Sequence, residues 1–287
     1  MKHTIHFYKM QGLGNDFVVI DGINQRLNDL NPSDLALRLC HRRYGIGADG
    51  LILCLPSAEY DVSMHFYNAD GSQAELCGNG IRCLAAFAYT QGLVEKEVFS
   101  VETPVGVKLP ALILENGRIK AIEVDMGVPQ YQADDVPCNL RTDDGRVIDS
   151  PISVLGQDYV MTAIGMGNPH AVFFVDNIHD VSIERFGPAV GDLGLFPKGV
   201  NVEVAQVIDS QNVAVQVWER GVGVSQACGT GACAVVVAGV LTNRLNPQSS
   251  VQLPGGILSI DWQGEGQKIL MTGPAQQVFS GDIQLAL

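Results

Sequence analysis

The chain has 287 residues, of which 46% are hydrophobic and 17% charged, and its formal net charge is −13. This composition is typical of a globular protein with a sizeable core, and the length favours about two domains. The acidic charge argues against nucleic acid or an anionic membrane as a main partner. Seven cysteines, with no signal peptide and no apolar span of roughly 20 residues, indicate reduced thiols in the cytosol.

The first half is predicted to alternate short strands with two helices. Asn31, followed by Pro32, predicts the start of the first helix, because an asparagine side chain accepts hydrogen bonds from unpaired N–H groups. The second helix follows Cys77 and ends near Gly92. The Asn-Gly pair within residues 115–117 predicts a tight hairpin. Strands are expected at residues 5–9, 18–21, 51–55, 62–68, 98–102, 107–114 and 119–124.

The second half repeats this order. It is predicted to have a short helix over residues 186–195 and a longer helix after Cys228. The tail, residues 275–287, is predicted to be a strand that returns to the first half. We therefore place one domain at residues 1–126, joined by that tail, and a second at residues 127–274. Further strands are expected within residues 152–164 and at 171–175, 202–207, 213–219, 251–253, 257–262 and 269–271.

Matching segments indicate an internal duplication. The segment from Met64 to Cys77 aligns without a gap with the segment from Val215 to Cys228, and glycines and an uncharged run follow each cysteine. Two similar halves packed about a pseudo-two-fold axis would bring both cysteines towards one cleft, and such clefts often bind ligands. Three further pairs match in the same order: residues 14–17 with 167–170, 103–106 with 253–256, and 126–129 with 271–274.

Cys77 and Cys228 are the strongest candidates for chemistry. Each is expected at or just before a helix N-terminus, where unpaired N–H groups favour a thiolate. A lone cysteine there would more often be a small buried hydrophobe, but the duplication favours a functional pair. One thiolate and one thiol form a base and an acid of the same type, and on opposite faces of a carbon they could invert a stereocentre. The helix-end N–H groups could hold a substrate carboxylate.

Polar residues at strand ends form a second set of candidates. Glu219 and Arg220 could bind substrate, although a surface ion pair is the alternative. His170 matches Phe17 of the first half, and its alternative role is that of a hydrogen-bonded core histidine. A single asparagine in such a place is usually a turn residue. Four of them suggest hydrogen bonds to a polar zwitterion: Asn15, Asn68, Asn168 and Asn201.

Other kinds of site find little support. The glycine-rich segment 42–50 leads into a strand rather than a helix, so it does not match a dinucleotide-binding loop. No lysine motif suggests pyridoxal phosphate, and we expect no cofactor. Metal binding by Cys83 and Cys233 is disfavoured, because zinc sites prefer closer spacing. These two cysteines are expected to pack in the core, and Cys40, Cys54 and Cys138 are expected to be structural.

With these residues in view, the chain resembles the diaminopimelate epimerases over essentially its whole length. Six motifs carry the resemblance, and together they are highly specific. They are residues 12–17 (GLGNDF), 68–72 (NADGS), 77–83 (CGNGIRC), 167–170 (GNPH), 219–221 (ERG) and 227–231 (ACGTG).

The resemblance implies cofactor-independent interconversion of LL- and meso-2,6-diaminoheptanedioate, a step that serves lysine and peptidoglycan synthesis. It implies an α/β (α+β) fold of two pseudo-symmetric domains, each a curled, mainly antiparallel sheet wrapped around a central helix. It assigns Cys77 and Cys228 as the acid–base pair, with His170 and Glu219 tuning them. It implies substrate contacts from ten residues: Asn15, Asn68, Gly78, Asn79, Asn168, Asn201, Glu219, Arg220, Gly229 and Thr230.

Two positions depart from the family's pattern. Gly50 stands where some relatives carry a substrate-contacting glutamine, and Val224 stands where some carry an acidic residue. A proline or hydroxyproline racemase is the nearest alternative, because it shares the two-cysteine logic. A redox switch in a binding protein is a third, although the chain has no Cys-x-x-Cys pair. The expected partner is a small amino-acid substrate, and the sequence leaves a homodimer open.

Overall fold

The computed structural model describes residues 2–27, 30–74 and 77–286. Glu75 and Leu76, which precede Cys77, lie outside the described residues, as do the end residues 1 and 287 of the predicted domains. The chain divides into two compact units, which are Met1–Val124 with Gly273–Leu287 (unit 1) and Asp125–Thr272 (unit 2). Both divisions fall two residues before the boundaries expected from the sequence.

Strands dominate both units. The helices are α1 (Pro32–Leu39), α2 (Gly78–Thr90), α3 (Ile183–Asp192) and α4 (Gly229–Leu241), with a 3-10 turn at Ile178–Asp180. The strands are β1 (Lys2–Gly12), β2 (Asn15–Asp21), β3 (Gly50–Leu55), β4 (Val62–Asn68), β5 (Gln73–Ala74), β6 (Val101–Thr103), β7 (Gly106–Lys108), β8 (Ala111–Glu115), β9 (Arg118–Asp125), β10 (Ser150–Val154), β11 (Gln157–Gly165), β12 (Pro169–Phe174), β13 (Asn201–Asp209), β14 (Asn212–Glu219), β15 (Gly223–Ser225), β16 (Gln248–Leu253), β17 (Gly256–Trp262), β18 (Ile269–Gly273) and β19 (Gln276–Ala286).

The same order of strand pairings recurs in the two units. In unit 1, β1–β2 is antiparallel, β2–β3 parallel, β3–β4 antiparallel, β4–β6 parallel and β6–β7 antiparallel, with β5 alongside β4. In unit 2, β11, β12, β13, β14, β16 and β17 repeat these directions, with β15 alongside β14. β19 extends the unit 1 sheet by pairing antiparallel with β1. The repeated pattern is the structural counterpart of the duplicated sequence.

Each unit packs its strands around one long central helix, α2 in unit 1 and α4 in unit 2. α2 packs on β1, β2, β3, β4 and β19, and α4 packs on β11, β12, β13, β16 and β17. Both helices are buried along most of their length, as their long uncharged runs require. The predicted α/β fold, with a mainly antiparallel sheet around a central helix in each unit, is confirmed. No helix in the described ranges is long and apolar enough to cross a membrane.

Two predictions from short sequence signals, a helix cap and a hairpin turn, are confirmed by the backbone. Asn31 caps α1, because its Oδ1 accepts hydrogen bonds from the N–H groups of Ser33 at 2.9 Å and Asp34 at 3.4 Å. Asn116 and Gly117 join β8 to β9 with φ angles of 54° and 73°. Two consecutive positive φ angles are the geometry that an Asn-Gly hairpin favours, so this prediction is confirmed.

Several element boundaries differ from expectation, among them those of α3, of β1 and of the strand expected at residues 107–114. The helix expected at residues 186–195 begins at Ile183 and ends at Asp192, before Gly194 at φ 69°. The strand expected at residues 107–114 is split into β7 and β8 around Pro110, because proline has no N–H group to donate to a neighbouring strand. β1 continues through Gly12, three residues beyond the end expected for the first strand at residue 9.

Two helical glycines provide a test of core packing. A methyl group at Gly239 of α4 would lie 2.5 Å from Leu245 Cδ1, whereas one at Gly191 of α3 would meet nothing within 4 Å. We expect Gly239→Ala to lower the free energy of unfolding by about 1–3 kcal/mol through overpacking. Gly191→Ala should raise it by up to about 1 kcal/mol, because alanine restricts the unfolded chain. Urea unfolding measures both, and a Gly239→Ala protein as stable as the parent would contradict this packing.

Candidate functional site

Both candidate cysteines lie at the N-terminus of a central helix. Cys77 is the N-cap residue of α2, and its Sγ accepts a hydrogen bond from Gly80 N at 3.4 Å. Cys228 is the N-cap residue of α4, and its Sγ accepts from Gly231 N at 3.3 Å. The predicted placement is confirmed for each. Each sulfur therefore faces N–H groups that the helix itself leaves without partners, at the positive end of the helix dipole.

The two thiols have different surroundings. Cys77 is half-buried, whereas Cys228 is only 4% exposed. Burial raises the pKa of the Cys228 thiol well above its usual value, and the nearby carboxylates of Glu219 and Glu203 raise it further. Hydrogen bonds involving Thr230, whose Oγ1 lies 3.4 Å from Sγ, and Gly231 N act in the opposite direction. The surroundings of Cys228 therefore favour its thiol form over the thiolate.

Asn15 and Asn79 surround Cys77 with amide groups. The Cys77 thiol lies 3.7 Å from Asn15 Oδ1, and Asn79 Nδ2 donates to the same oxygen at 3.2 Å. Asn15 Nδ2 donates in turn to Asp49 Oδ2 at 2.7 Å. Because a carboxylate only accepts, Asp49 fixes the orientation of the Asn15 amide and turns its oxygen towards Cys77.

A network of charges that the sequence analysis missed holds Asp49 in place. Arg42 bridges the carboxylates of Asp49 at 2.7 Å and Asp16 at 2.8 Å. Asp16 also pairs at 2.6 Å with Lys9, whose side chain is buried. The sequence held a signal for this network, because Asp16 directly follows Asn15, and Arg42 and Asp49 both lie in the glycine-rich segment before β3.

Arg82 is a second residue that sequence reasoning overlooked. It is fully buried one turn into α2, where Nη2 donates to Asn79 Oδ1 at 2.8 Å and Nη1 donates to Gly78 O at 3.2 Å. Its Nε donates to Pro274 O at 3.3 Å. The guanidinium therefore orients Asn79, whose amide nitrogen is left to face Asn15.

Asn68 ends β4 and pairs in register with Gly50 of β3. Its Nδ2 donates to Ser72 Oγ at 2.9 Å, within its own turn. The departure at Gly50 has a packing reason, because a Cβ there would lie 2.4 Å from Cε2 of Phe66. A glutamine at position 50 would require Phe66 to move. This chain therefore cannot make the substrate contact that the glutamine of some relatives makes unless the side chains around position 50 repack.

In unit 2, the backbone around Arg220 is tied to Asn201. Asn201 is 5% exposed, and its Oδ1 accepts from Arg220 N at 2.9 Å. The Arg220 guanidinium donates to Lys198 O, and the side chain lies against Gly199, where a Cβ would be 2.6 Å from Arg220 Cδ. Glu219 precedes Arg220 at the end of β14. Gly229 and Thr230 form the first turn of α4 beside Cys228.

His170 lies in a buried polar cluster. Its Nδ1 is 2.7 Å from Glu203 Oε1, and its Nε2 is 3.0 Å from Asn168 Oδ1. His170 and Glu203 both have side chains that are completely inaccessible to solvent. Glu203 was missed, although a carboxylate within a strand buried on both faces was a visible signal in the apolar segment after Asn201.

The other cysteines are embedded in the units. All seven cysteines are thiols rather than disulfides. Burial raises the pKa values of Cys40, Cys54 and Cys83 to about 12, as befits the core roles expected for them. Across the ranges that the structure describes, no group of three or more His, Cys, Asp or Glu side chains is arranged to hold a metal ion.

Comparison with known proteins identifies close relatives. The family profile for diaminopimelate epimerase matches residues 7–132 and 162–278. The diaminopimelate epimerase of Moorella thermoacetica is 47% identical over 281 residues, which cover 98% of this chain and 100% of that protein. The diaminopimelate epimerase of Methanococcus maripaludis strain C5 is 42% identical over 279 residues, which cover 97% and 99% of the two chains.

Solved structures share the fold at much lower identity. A Bacillus anthracis phenazine biosynthesis protein of the PhzF family matches with a TM-score of 0.70 at 15% identity, covering 98% of this chain and 99% of that one. A probable proline racemase from Agrobacterium radiobacter K84 also matches with a TM-score of 0.70 at 15% identity, covering 99% and 93%. These likenesses concern the fold alone. The family profile and the near-full-length relatives show that the chain belongs to the diaminopimelate epimerase family.

Proposed function

We propose that the chain interconverts LL- and meso-2,6-diaminoheptanedioate without a cofactor, using Cys77 and Cys228 as its acid–base pair. Family membership supplies the reaction class, an amino-acid epimerisation that serves lysine and peptidoglycan precursor synthesis. The observation that carries the mechanism is that each unit places a cysteine as the N-cap of its central helix. A cytosolic location is part of the same proposal.

The chemistry requires a proton to leave the α-carbon on one face and another to arrive on the opposite face. One cysteine, as a thiolate, takes the α-proton and becomes a thiol. The other, as a thiol, delivers its proton to the opposite face and becomes a thiolate. The substrate α-carboxylate accepts charge from the carbanion, and unpaired N–H groups at a helix N-terminus stabilise that charge. Gly78 and Gly229 begin the two helices and allow a ligand to approach the backbone closely.

The polar side chains of the candidate residues suit a substrate with two amino-acid heads. Five amide side chains and one hydroxyl can donate and accept hydrogen bonds: Asn15, Asn68, Asn79, Asn168, Asn201 and Thr230. Arg220 can bind a carboxylate and Glu219 an ammonium group. A proline racemase substrate has one carboxylate and a ring nitrogen, and needs fewer such groups. The close relatives named diaminopimelate epimerase also favour the longer substrate.

Replacement of either cysteine tests the two-thiol mechanism. We expect Cys77→Ser and Cys228→Ser to lower kcat by about 10²–10⁴-fold or more, because a hydroxyl is a far weaker acid and its alkoxide is not available as a base. Serine is a good N-cap residue, so both proteins should remain folded. As a control, Cys83→Ala should lower stability and leave kcat nearly unchanged. A Cys77→Ser enzyme that retains most of its kcat would sink the mechanism.

Hydrogen exchange with solvent tests the same mechanism in the unmodified enzyme. During first turnover in D₂O, LL substrate should give meso product with deuterium at the inverted carbon, because the delivering thiol has exchanged with solvent. Recovered LL substrate should be largely unlabelled at early times. The proton taken from it stays on the thiol that removed it, which is not the thiol that delivers deuterium to the product. Mass spectrometry of the separated diastereomers measures both. Substantial retention of the original α-hydrogen in first-turnover product would point to a single base.

Alkylation tests the difference between the two thiols. With limiting iodoacetamide at neutral pH, we expect Cys77 to be modified before Cys228, because Cys77 is more exposed and the pKa of Cys228 is raised by burial. Substrate should slow the reaction, and the buried Cys83 should react only after unfolding. Peptide mapping by mass spectrometry gives the order. Modification of Cys228 first would contradict the environments described for the two sulfurs.

A further inference from the structure

Glu203 is a buried carboxylate with an incomplete set of partners. Its side chain is fully inaccessible, Oε1 contacts His170 Nδ1 at 2.7 Å, and Oε2 has no hydrogen-bond partner within the described part of the chain. Burial without full hydrogen bonding is costly for a carboxylate, so such a residue is retained for a reason other than packing. The two-cysteine mechanism does not use Glu203 directly.

Both nitrogens of the His170 ring face oxygen atoms. The amide oxygen of Asn168 can only accept, so Nε2, 3.0 Å away, carries a hydrogen. On the other side of the ring, one further proton lies between Nδ1 and Glu203 Oε1. If that proton is on the nitrogen the pair is a buried ion pair, and if it is on the oxygen both groups are neutral. The net charge is zero and Nε2 keeps its hydrogen in either arrangement.

The surroundings favour retention of this shared proton. Burial raises the pKa of Glu203, and the Glu219 carboxylate raises it further, while His170 acts in the opposite direction. The negative charge of Glu203 also acts on the Cys228 thiol and raises its pKa. If the proton were lost, a neutral His170 bonded to the Glu203 anion through Nδ1–H would leave Nε2 bare. Asn168 would then have to turn its NH₂ group inward to donate to it.

We propose that Glu203 is a positioning residue that acts through His170 to set which end of the Asn168 amide faces the substrate. With the shared proton in place, Asn168 Oδ1 is held by His170 and Nδ2 is turned outward as a donor, suited to a substrate carboxylate. Without it, Oδ1 would be turned outward and would suit an ammonium group. This inference rests on the proposed function only in giving Asn168 a substrate contact.

The packing around Glu203 determines which variant can test this. A Cβ at Gly231 would lie 2.6 Å from Glu203 Oε1, so the carboxylate is packed beneath the first turn of α4, beside Cys228. A shorter side chain would leave a gap there and disturb the thiol as well. Glu203→Gln keeps the shape, but its amide can either donate to Nδ1 or accept from it. It therefore no longer selects one state of His170.

Nitrogen-15 NMR of the histidine rings tests the protonation state without any substrate. The signals of His170 are those missing from a His170→Gln protein. In the parent protein we expect His170 Nε2 to carry a hydrogen, because it faces the amide oxygen of Asn168. A bare Nε2 with hydrogen on Nδ1 alone would overturn the proposal. In Glu203→Gln we expect a mixture of ring states, whereas Glu184→Gln, which alters an exposed carboxylate on α3, should leave the His170 signals unchanged.

Kinetics test whether Glu203 acts through Asn168. We expect Glu203→Gln to raise the KM for LL-diaminoheptanedioate about two- to tenfold, the range that one substrate hydrogen bond supports. In an Asn168→Ala background, Glu203→Gln should not raise the KM further, because the amide that Glu203 orients is gone. Additive effects would overturn the proposal. If the parent protein does not epimerise this substrate, the proposed function fails, while the NMR experiment still decides the role of Glu203.

Discussion

The unpaired N–H groups at the first turn of a buried helix are the constraint on which this molecule depends. Each unit packs strands around one central helix, whose first N–H groups have no partner within the helix itself. A cysteine sulfur at the N-cap accepts one of them and is itself polarised by the rest. The glycine three residues after each cysteine has a packing reason, because a Cβ at Gly80 would lie 3.2 Å from Met64 Cε and one at Gly231 would lie 2.6 Å from Glu203 Oε1.

The two halves repeat a backbone without repeating its chemistry. Phe17 pairs in register with Gly50 in unit 1, and the corresponding pair in unit 2 is His170 with Asn201. Where unit 1 has the apolar ring of Phe17 beside a glycine, unit 2 has the imidazole of His170 beside the amide of Asn201, with Glu203 buried behind them. In unit 1 the charged groups lie instead around Asp49, closer to solvent. Two thiols in the same backbone position therefore have different surroundings, and Cys77 is half-buried whereas Cys228 is buried.

Sequence alone predicted what depends on local geometry. The cap at Asn31, the hairpin at Asn116 and the helix-end cysteines each follow from a few consecutive residues. The residues that were missed acquire meaning only from strand register. Glu203 meets a histidine 33 positions earlier because β12 and β13 run parallel, and Asp49 meets Asn15 across 34 positions. No local pattern could join those pairs, although a carboxylate between apolar residues of a buried strand marked Glu203 as unusual.

The pairing of β19 with β1 has a consequence for synthesis of the protein on the ribosome. Lys9 pairs with Phe279, so one ladder of the unit 1 sheet joins residues from opposite ends of the described chain. Unit 2 is a continuous segment, Asp125–Thr272, and can form its own sheet as soon as that segment has emerged. The sheet of unit 1 stays incomplete, with one edge of β1 unpaired, until β19 is synthesised. Nascent chains stalled before β19 should therefore hold a folded second unit beside an incomplete first one, and these chains are the ones that chaperones would need to protect.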